Sequence, residues 1–454
     1  MNTDKAKSLA EMLSVLCPGP LEEGQLGWFR ETGEARDEHL ERRGVLADYL
    51  GAGVPDKILF IGHPGSGKST ELVKFQEEHR DKWAFVGFSV VKEAQLSQVS
   101  VEALLILVVE VVQRTMKEWG CTLDEKTVKS VYEWFAETFE IREDQLAASL
   151  ESGGGVDAQS TWWSKLLGVG AYMKADLKAG GSLLHRKVAK DRRRLGELAG
   201  RCHMLVREAN LAVRKRFEGA REMVLIIEDL DKATIGAAEE VFIENPAPLA
   251  ELPCRAIFTA PISLISNPLA ARLDALFRRV QLPMIKVWER NGKPCEKGIE
   301  TIKGILYERV EKGLVEDGAV EEAIKKTGGV LRHFFEVMVT ATQKARGACE
   351  KGERGEERIN EGDVRYGLDQ LKQKLVRQLG PVGLPKKYDP YEVTVEKMIE
   401  RLRFARLREL KGKQRQVESD PVNMLLLECH ALLEYNGKGW HLVHPLVAEH
   451  LEEG

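Results

Sequence analysis

The sequence predicts an α/β fold, a parallel sheet with flanking helices and a large helical insertion. Three observations predict it. An apolar run from Ile58 to Ile61 passes straight into Gly62-His63-Pro64-Gly65-Ser66-Gly67-Lys68-Ser69, and an amphipathic stretch over residues 71–80 follows. A second apolar run, Met223 to Ile227, ends in Glu228, Asp229 and Asp231. Between the strand at 83–91 and this run lie roughly 120 residues whose apolar spacing is mostly helical.

The first stretch carries the sharpest chemical signal. A buried strand, a glycine-rich loop and a helix N-terminus in that order can cradle a polyphosphate on successive backbone N–H groups. Bulky Cβ atoms would block the approach, hence Gly62, Gly65 and Gly67. Lys68 can reach the β- and γ-phosphates, and the Ser69 hydroxyl can ligate Mg²⁺. Gly62, His63, Pro64, Gly65, Ser66, Gly67, Lys68, Ser69 and Thr70 are therefore the candidate nucleotide-binding residues.

Composition bounds the rest. A chain of 454 residues exceeds one average domain. Lys and Arg (67) nearly balance Asp and Glu (71), so no strong overall field points to nucleic acid or membrane. The seven cysteines are scattered without a Cys-x-x-Cys pair, which predicts reduced thiols in a cytoplasmic protein. No basic-then-apolar leader opens the sequence, and its longest apolar runs are too short to span a membrane.

In order, residues 2–16 have a weak helical pattern ended by Cys17-Pro18-Gly19-Pro20. Trp28 or Arg36, just ahead of the phosphate loop, could contact a base; a packed aromatic and a surface arginine fit equally well. Residues 44–50 read as a helix, and 83–91 as the second strand. Residues 101–139 are helical and strongly apolar, and 151–156 read as a mobile glycine loop. Residues 161–177 fit a hairpin, an amphipathic helix or a partner-binding surface; 186–217 return to a charged helix.

The acids after Ile227 fall where ligands bind in an open α/β sheet, beyond the carboxyl ends of the strands. One acid there would hold Mg²⁺ and a neighbour could polarise an attacking water, with Glu228, Asp229 and Asp231 as candidates. The strand at 255–260 ends near Thr259, a hydroxyl placed to sense a γ-phosphate. A short helix at 269–277 leads to Arg278-Arg279 and a strand at 280–282. Residues 297–345 are helical, and Asn360 can cap a further helix reaching 379. A Pro/Gly linker at 380–390 precedes two more helices, 393–410 and 421–434, and a closing apolar segment.

This order of parts resembles the bacterial AAA+/STAND-type P-loop ATPases related to origin-recognition-like and KAP-like ATPases. Residues 62–72 match their Walker A loop, and 225–232 look like their acidic Walker B strand. Thr259 falls at the sensor 1 position, Arg332 after Gly328-Gly329 looks like the sensor 2 arginine of the helical lid, and 432–447 is similar to their winged-helix-like domain. Glu228 stands where that family usually carries Asp. The resemblance implies a P-loop core over 1–290 with its insertion at about 100–220, a lid over 291–380 and a winged-helix-like unit over 391–454. It implies catalytic roles for Glu228, Asp229, Thr259 and Arg332, and metal binding by Ser69, Glu228 and Asp229.

Two functions follow as expectations. The first is an ATP- and Mg²⁺-dependent hydrolytic switch that regulates or assembles a separate effector protein, a type of device frequent in anti-phage systems. The second is a DNA-binding ATPase, a loader or transposition helper, supported by Arg401, Arg403, Arg406, Arg408, Lys411, Lys413 and Arg415; a solvated helix face explains these charges too. In an ATP-dependent homo-oligomer, Arg272, Arg278 or Arg279 is placed to complete a neighbour's site.

Overall fold

The computed structural model describes residues 3–36, 42–52, 56–94, 99–141, 162–180, 192–217, 221–380, 393–410, 420–435 and 439–453. The expected glycine loop at 151–156, nearly all of the Pro/Gly linker and the basic residues Lys411, Lys413 and Arg415 lie outside the described residues.

The chain opens with helix α1 (Leu9–Val15), capped by Ser8, whose hydroxyl accepts from the Glu11 N–H. Helix α2 (Arg42–Gly51) leads to strand β1 (Lys57–Ile61), all five residues of which are buried. A strand buried on both faces reads as a continuous apolar run, which is why β1 stands out in the sequence. Helix α3 (Lys68–His79) starts at the end of the glycine loop. Strands β2 (Trp83–Ser89), β3 (Glu222–Glu228), β4 (Arg255–Ala260) and β5 (Arg278–Gln281) complete a sheet in the order β2-β3-β4-β1-β5, every pair parallel. β4 thus lies between the glycine-loop strand and the acidic strand.

Two expected boundaries shift. Val90 and Val91 leave the second strand and begin a short helix, Val90–Glu93, because the Ser89 hydroxyl caps it by accepting from the Lys92 N–H. The short helix expected at 269–277 is a 3-10 helix over Ala270–Ala275, and Arg278 and Arg279, expected ahead of the strand, are the first residues of β5, paired with Ile58 and Leu59. Adjacent strand residues point to opposite faces, so the two arginines diverge by half a turn.

Among the described residues, the insertion between β2 and β3 contains four long helices: α4 (Val101–Glu118), α5 (Glu125–Phe139), α6 (Trp162–Ala179) and α7 (Arg192–Arg216). The continuous pattern at 101–139 breaks at Gly120, with φ +64°, and restarts at Asp124, whose carboxylate accepts from the Thr127 N–H. Helix α4 buries Leu104 through Val109 without interruption, so it is a central helix wrapped by its neighbours. The segment left open by the sequence is helix α6; its Trp162 ring meets Tyr132 of α5 at 5.6 Å.

Beyond the sheet, α8 (Glu296–Tyr307), α9 (Asp317–Lys326), α10 (Leu331–Glu350) and α11 (Glu361–Arg377) form the helical lid. Asn360 caps α11 as expected, in a reciprocal pair with Asp363. The C-terminal part contains α12 (Val395–Leu410), α13 (Pro421–Glu428), the antiparallel hairpin β6 (Leu432–Glu434) and β7 (His441–Val443), and α14 (Pro445–Glu453), a winged-helix-like arrangement. This part packs directly on the core. Leu433, Tyr435 and Trp440 bury Met284 and Val330, and the Tyr435 hydroxyl donates to the Gly328 carbonyl at 2.7 Å. No described helix is long and apolar enough to cross a membrane.

Candidate nucleotide site

The glycine loop has the backbone its pattern requires. Gly65 and Gly67 have φ of +82° and +104°, where side chains are strained. A Cβ on Gly62 would lie 2.8 Å from the Leu282 carbonyl, and one on Gly65 would lie 2.6 Å from Cβ of Arg332. The second contact places Arg332, in the first turn of α10, against the loop. A cation is disfavoured at a helix N-terminus, so Arg332 sits where an anion would relieve it.

Lys68 is 4% exposed and donates to the carbonyls of Gly62 and His63 at 2.7 and 2.9 Å. It also pairs with buried Asp231 at 2.8 Å. Asp231, one of three acids considered from the sequence, is therefore the counter-ion of the loop lysine. Ser69 donates a hydrogen bond to Glu228. Burial pushes the Glu228 carboxyl up to about 7; Asp229 and Asp231 push the same way, while Ser69 and Lys92 pull it down. A hydroxyl and a buried acid already in contact form a donor set suited to Mg²⁺, a hard cation that takes oxygen ligands.

Asp229 has φ +68°, a left-handed conformation uncommon for a residue other than glycine. Its carboxylate accepts from the Ser89 hydroxyl and pairs with Lys232 at 2.6 Å. Strain held by such contacts is a feature of functional positions. Thr259 is fully buried on β4, between the loop strand and the acidic strand, and its hydroxyl has no hydrogen-bond partner among the described residues. An orphaned buried hydroxyl between the glycine-loop strand and the acidic strand fits a role that a bound group would complete.

One cleft brings these parts together. Gly65, Gly67, Lys68, Ser69, Thr70, Asp229, Asp231 and Arg332 line it, with Trp28, Phe29, Arg309 and Phe335 further along. Thr70 also accepts from the Leu21 N–H at 3.2 Å, tying the segment after α1 to the loop. Two expected binding residues face elsewhere. The His63 ring accepts from the Glu434 N–H at 3.0 Å, and the Pro64 carbonyl meets His430 Nε2 at 2.7 Å. The His63 ring and the Pro64 carbonyl thus belong to the contact with the C-terminal part, and burial above all, with Lys68 nearby, holds His63 well below its ordinary range. Ser66 is buried behind the loop with its hydroxyl unpartnered among the described residues.

Arg36 is not a surface arginine. It is 1% exposed, lines the same cleft and donates to Thr32 Oγ1, the Ser66 carbonyl and the Pro283 carbonyl, so it braces the loop. Its role and that of Ser89 carry no local sequence signal; only the fold brings their partners near. Arg278 and Arg279 lie away from the cleft: Arg279 pairs with Asp274 at 2.6 Å and Arg278 reaches Asp56 at 3.9 Å.

The strand order and the loop together define a core of the P-loop type with a helical insertion, a lid and a C-terminal winged-helix-like part. No protein-family description matches the chain, and no curated protein matches it. Among solved structures, it is similar to the Walker-type ATPase PABY2304 of Pyrococcus abyssi at 13% identity and a TM-score of 0.43, covering 96% of this chain and 99% of that one. It is also similar to Cdc6p from Pyrobaculum aerophilum at 12% identity and a TM-score of 0.39, covering 97% and 98%. Both likenesses are distant, so the fold rests on the strand order and the site on its own geometry.

Proposed function

We propose that this chain binds and hydrolyses ATP with Mg²⁺ and works as an AAA+/STAND-like switch for a separate effector protein. The observation that carries the reading is the meeting of Lys68, Ser69, Asp229 and Arg332 around one cleft, with Glu228 hydrogen-bonded to Ser69 and the orphaned Thr259 hydroxyl on the strand between the glycine-loop strand and the acidic strand. The division into a core (1–290), a lid (291–380) and a C-terminal unit (391–454) is part of the proposal, as are a cytoplasmic setting, a role in anti-phage defence and ATP-dependent self-association.

Ser69 and Glu228 would hold the cation, which supplies charge neutralisation for the phosphate oxygens. Lys68 exchanges its contact with Asp231 for phosphate, and Arg332 adds a second positive charge from the lid. Asp229, oriented by Ser89, polarises the attacking water, and Thr259 positions it. The products are ADP and phosphate, and loss of the γ-phosphate releases the tie between loop and lid.

Steady-state turnover and nucleotide binding of Glu228→Gln and Asp229→Asn test this. Asp229→Asn should bind ATP normally and lose turnover by about a hundredfold or more. Glu228→Gln should lose the Mg²⁺-dependent part of binding. Wild-type turnover in both variants would remove the proposal.

Action on DNA is the second reading. It is favoured by Arg403 and Arg408 on α12, beside Phe404 and Leu407, which are 54% and 55% exposed. Arg401 and Arg406 are already paired with Asp420 and Glu452. Salt-dependent binding to duplex DNA, lost on Arg403→Ala/Arg408→Ala, would shift the balance to this reading.

A further inference from the structure

Arg309 lines the same cleft as Lys68. It follows the end of α8 and is 5% exposed. The other two buried arginines nearby are fully engaged. Arg36 donates to three oxygens, and Arg43 pairs with Glu31, Glu71 and Glu78. Arg309 has no carboxylate partner among the described residues. Its guanidinium lies 4.3 Å from the Phe335 ring centre and 5.7 Å from that of Trp28. Among the described residues its acceptors are the carbonyls of Val15 and Cys17, at 3.3 and 3.4 Å, and its Nε–H has none. Burial pulls its pKa down to about 10.

A buried cation without a counter-ion is strongly disfavoured unless something completes it. The N-terminal segment closes over Arg309: the Ala6 N–H donates to the Arg309 carbonyl, and the Trp28 indole donates to the Thr3 carbonyl. The aromatic walls and the donor-rich fork thus form one enclosed end of the cleft. Lys68 and Arg332 mark the phosphate end, so the Arg309 end is left for the part of the ligand without phosphate. Purine bases carry ring-nitrogen acceptors on their edges, which guanidinium donors match.

We propose that Arg309 is a specificity-determining residue that donates hydrogen bonds to acceptors on the purine base of the bound nucleotide. The proposal rests on the nucleotide reading above.

The test compares ATP with inorganic tripolyphosphate, which has the phosphates without the base. Calorimetric titration of the full chain as wild type, Arg309→Met and Arg309→Lys supplies the numbers. Arg309→Met should weaken ATP about tenfold or more and leave tripolyphosphate within about twofold. Arg309→Lys, which keeps the charge but not the planar fork, should recover little of the ATP affinity. Equal weakening of both ligands, or no change in ATP, overturns the assignment. If Arg309→Met does not fold, the lysine variant carries the same comparison. A wild-type chain that binds neither ligand shows instead that the underlying nucleotide reading fails.

Discussion

On its cleft side the phosphate loop presents Lys68 and Ser69 to acids that can change partners. On its other side His63 and Pro64 meet the C-terminal part, where His63, His333, His430 and His444 form a chain of rings 4.8–5.5 Å apart. The cleft side is charged, with Asp231 on Lys68 and a raised Glu228. The far side is neutral, because burial holds all four histidines well below their ordinary range. One short loop therefore has an exchangeable face and a fixed face.

Removing residues 391–454 should break the fixed face and produce the largest effect. The Pro/Gly linker suggests a separable unit, but the C-terminal part covers Met284 and Val330, each worth roughly 1.5–3 kcal/mol of burial. It also hydrogen-bonds the Pro64 and Gly328 carbonyls, each bond worth about 0.5–1.5 kcal/mol net. Against a typical stability of about 5–15 kcal/mol, the truncated chain should be insoluble or melt far lower. A soluble truncation with an unchanged melting temperature would show the fixed face to be dispensable.

Lys68→Ala acts on the exchangeable face. Loss of a charge-assisted contact of up to about 3 kcal/mol should lower ATP affinity roughly a hundredfold. It also strands buried Asp231, so the variant should melt earlier than wild type. Lys68→Ala/Asp231→Asn should regain the melting temperature and not the affinity, which calorimetry and thermal melts can separate.

Acid should sharpen the contrast. His430 is held at about 4 and His444 at about 3, against 6.5 for the free side chain. The unfolded chain then takes up more protons, so stability is fully present above pH 6.5 and is lost as pH falls toward 4. Each group can contribute up to about 1.4 kcal/mol per pH unit in that window. His430→Gln should flatten the dependence of melting temperature on pH. On the other face, Mg²⁺ binding should already weaken as pH falls through about 7, where Glu228 takes up its proton.

The smallest effect is expected at the sheet edge. Arg278→Ala/Arg279→Ala removes exposed or paired cations remote from both faces, so stability should change by about 0.5 kcal/mol or less, with turnover unaltered. A clear fall in turnover, together with activity per subunit that rises with protein concentration, would show one arginine completing a neighbour's site.

The exchangeable face was largely legible because its signals are contiguous. Residues 62–70 and the acids at 228–231 each sit on a few successive positions, and their chemistry follows from order alone. What was not legible lies between distant positions. Nothing near Ser89 announces its hydrogen bond to Asp229, and Arg36 reads as a surface residue until Pro283 and Ser66 surround it. His63 fits a binding loop by position, yet its ring is committed to Glu434. Arg278 and Arg279 read as a helix end because the strand that pairs them, β1, lies far upstream.

The strand order has a consequence for how the chain is made. β4 separates β1 from β3, so the loop and its acids cannot take up their final spacing until Ala260 has left the ribosome. The lid arginine comes later still, and His430, which meets the Pro64 carbonyl, later again. At roughly 5–20 residues per second, a finished glycine loop waits on the order of tens of seconds for its surroundings. Until residue 231 emerges the nascent chain has Lys68 without Asp231, and until 255–260 and 278–281 follow, β1 lacks its two neighbours. The early helices of the insertion, whose contacts are mostly local, are then the first part able to condense, and a chaperone that holds β1 apart would act before any nucleotide can.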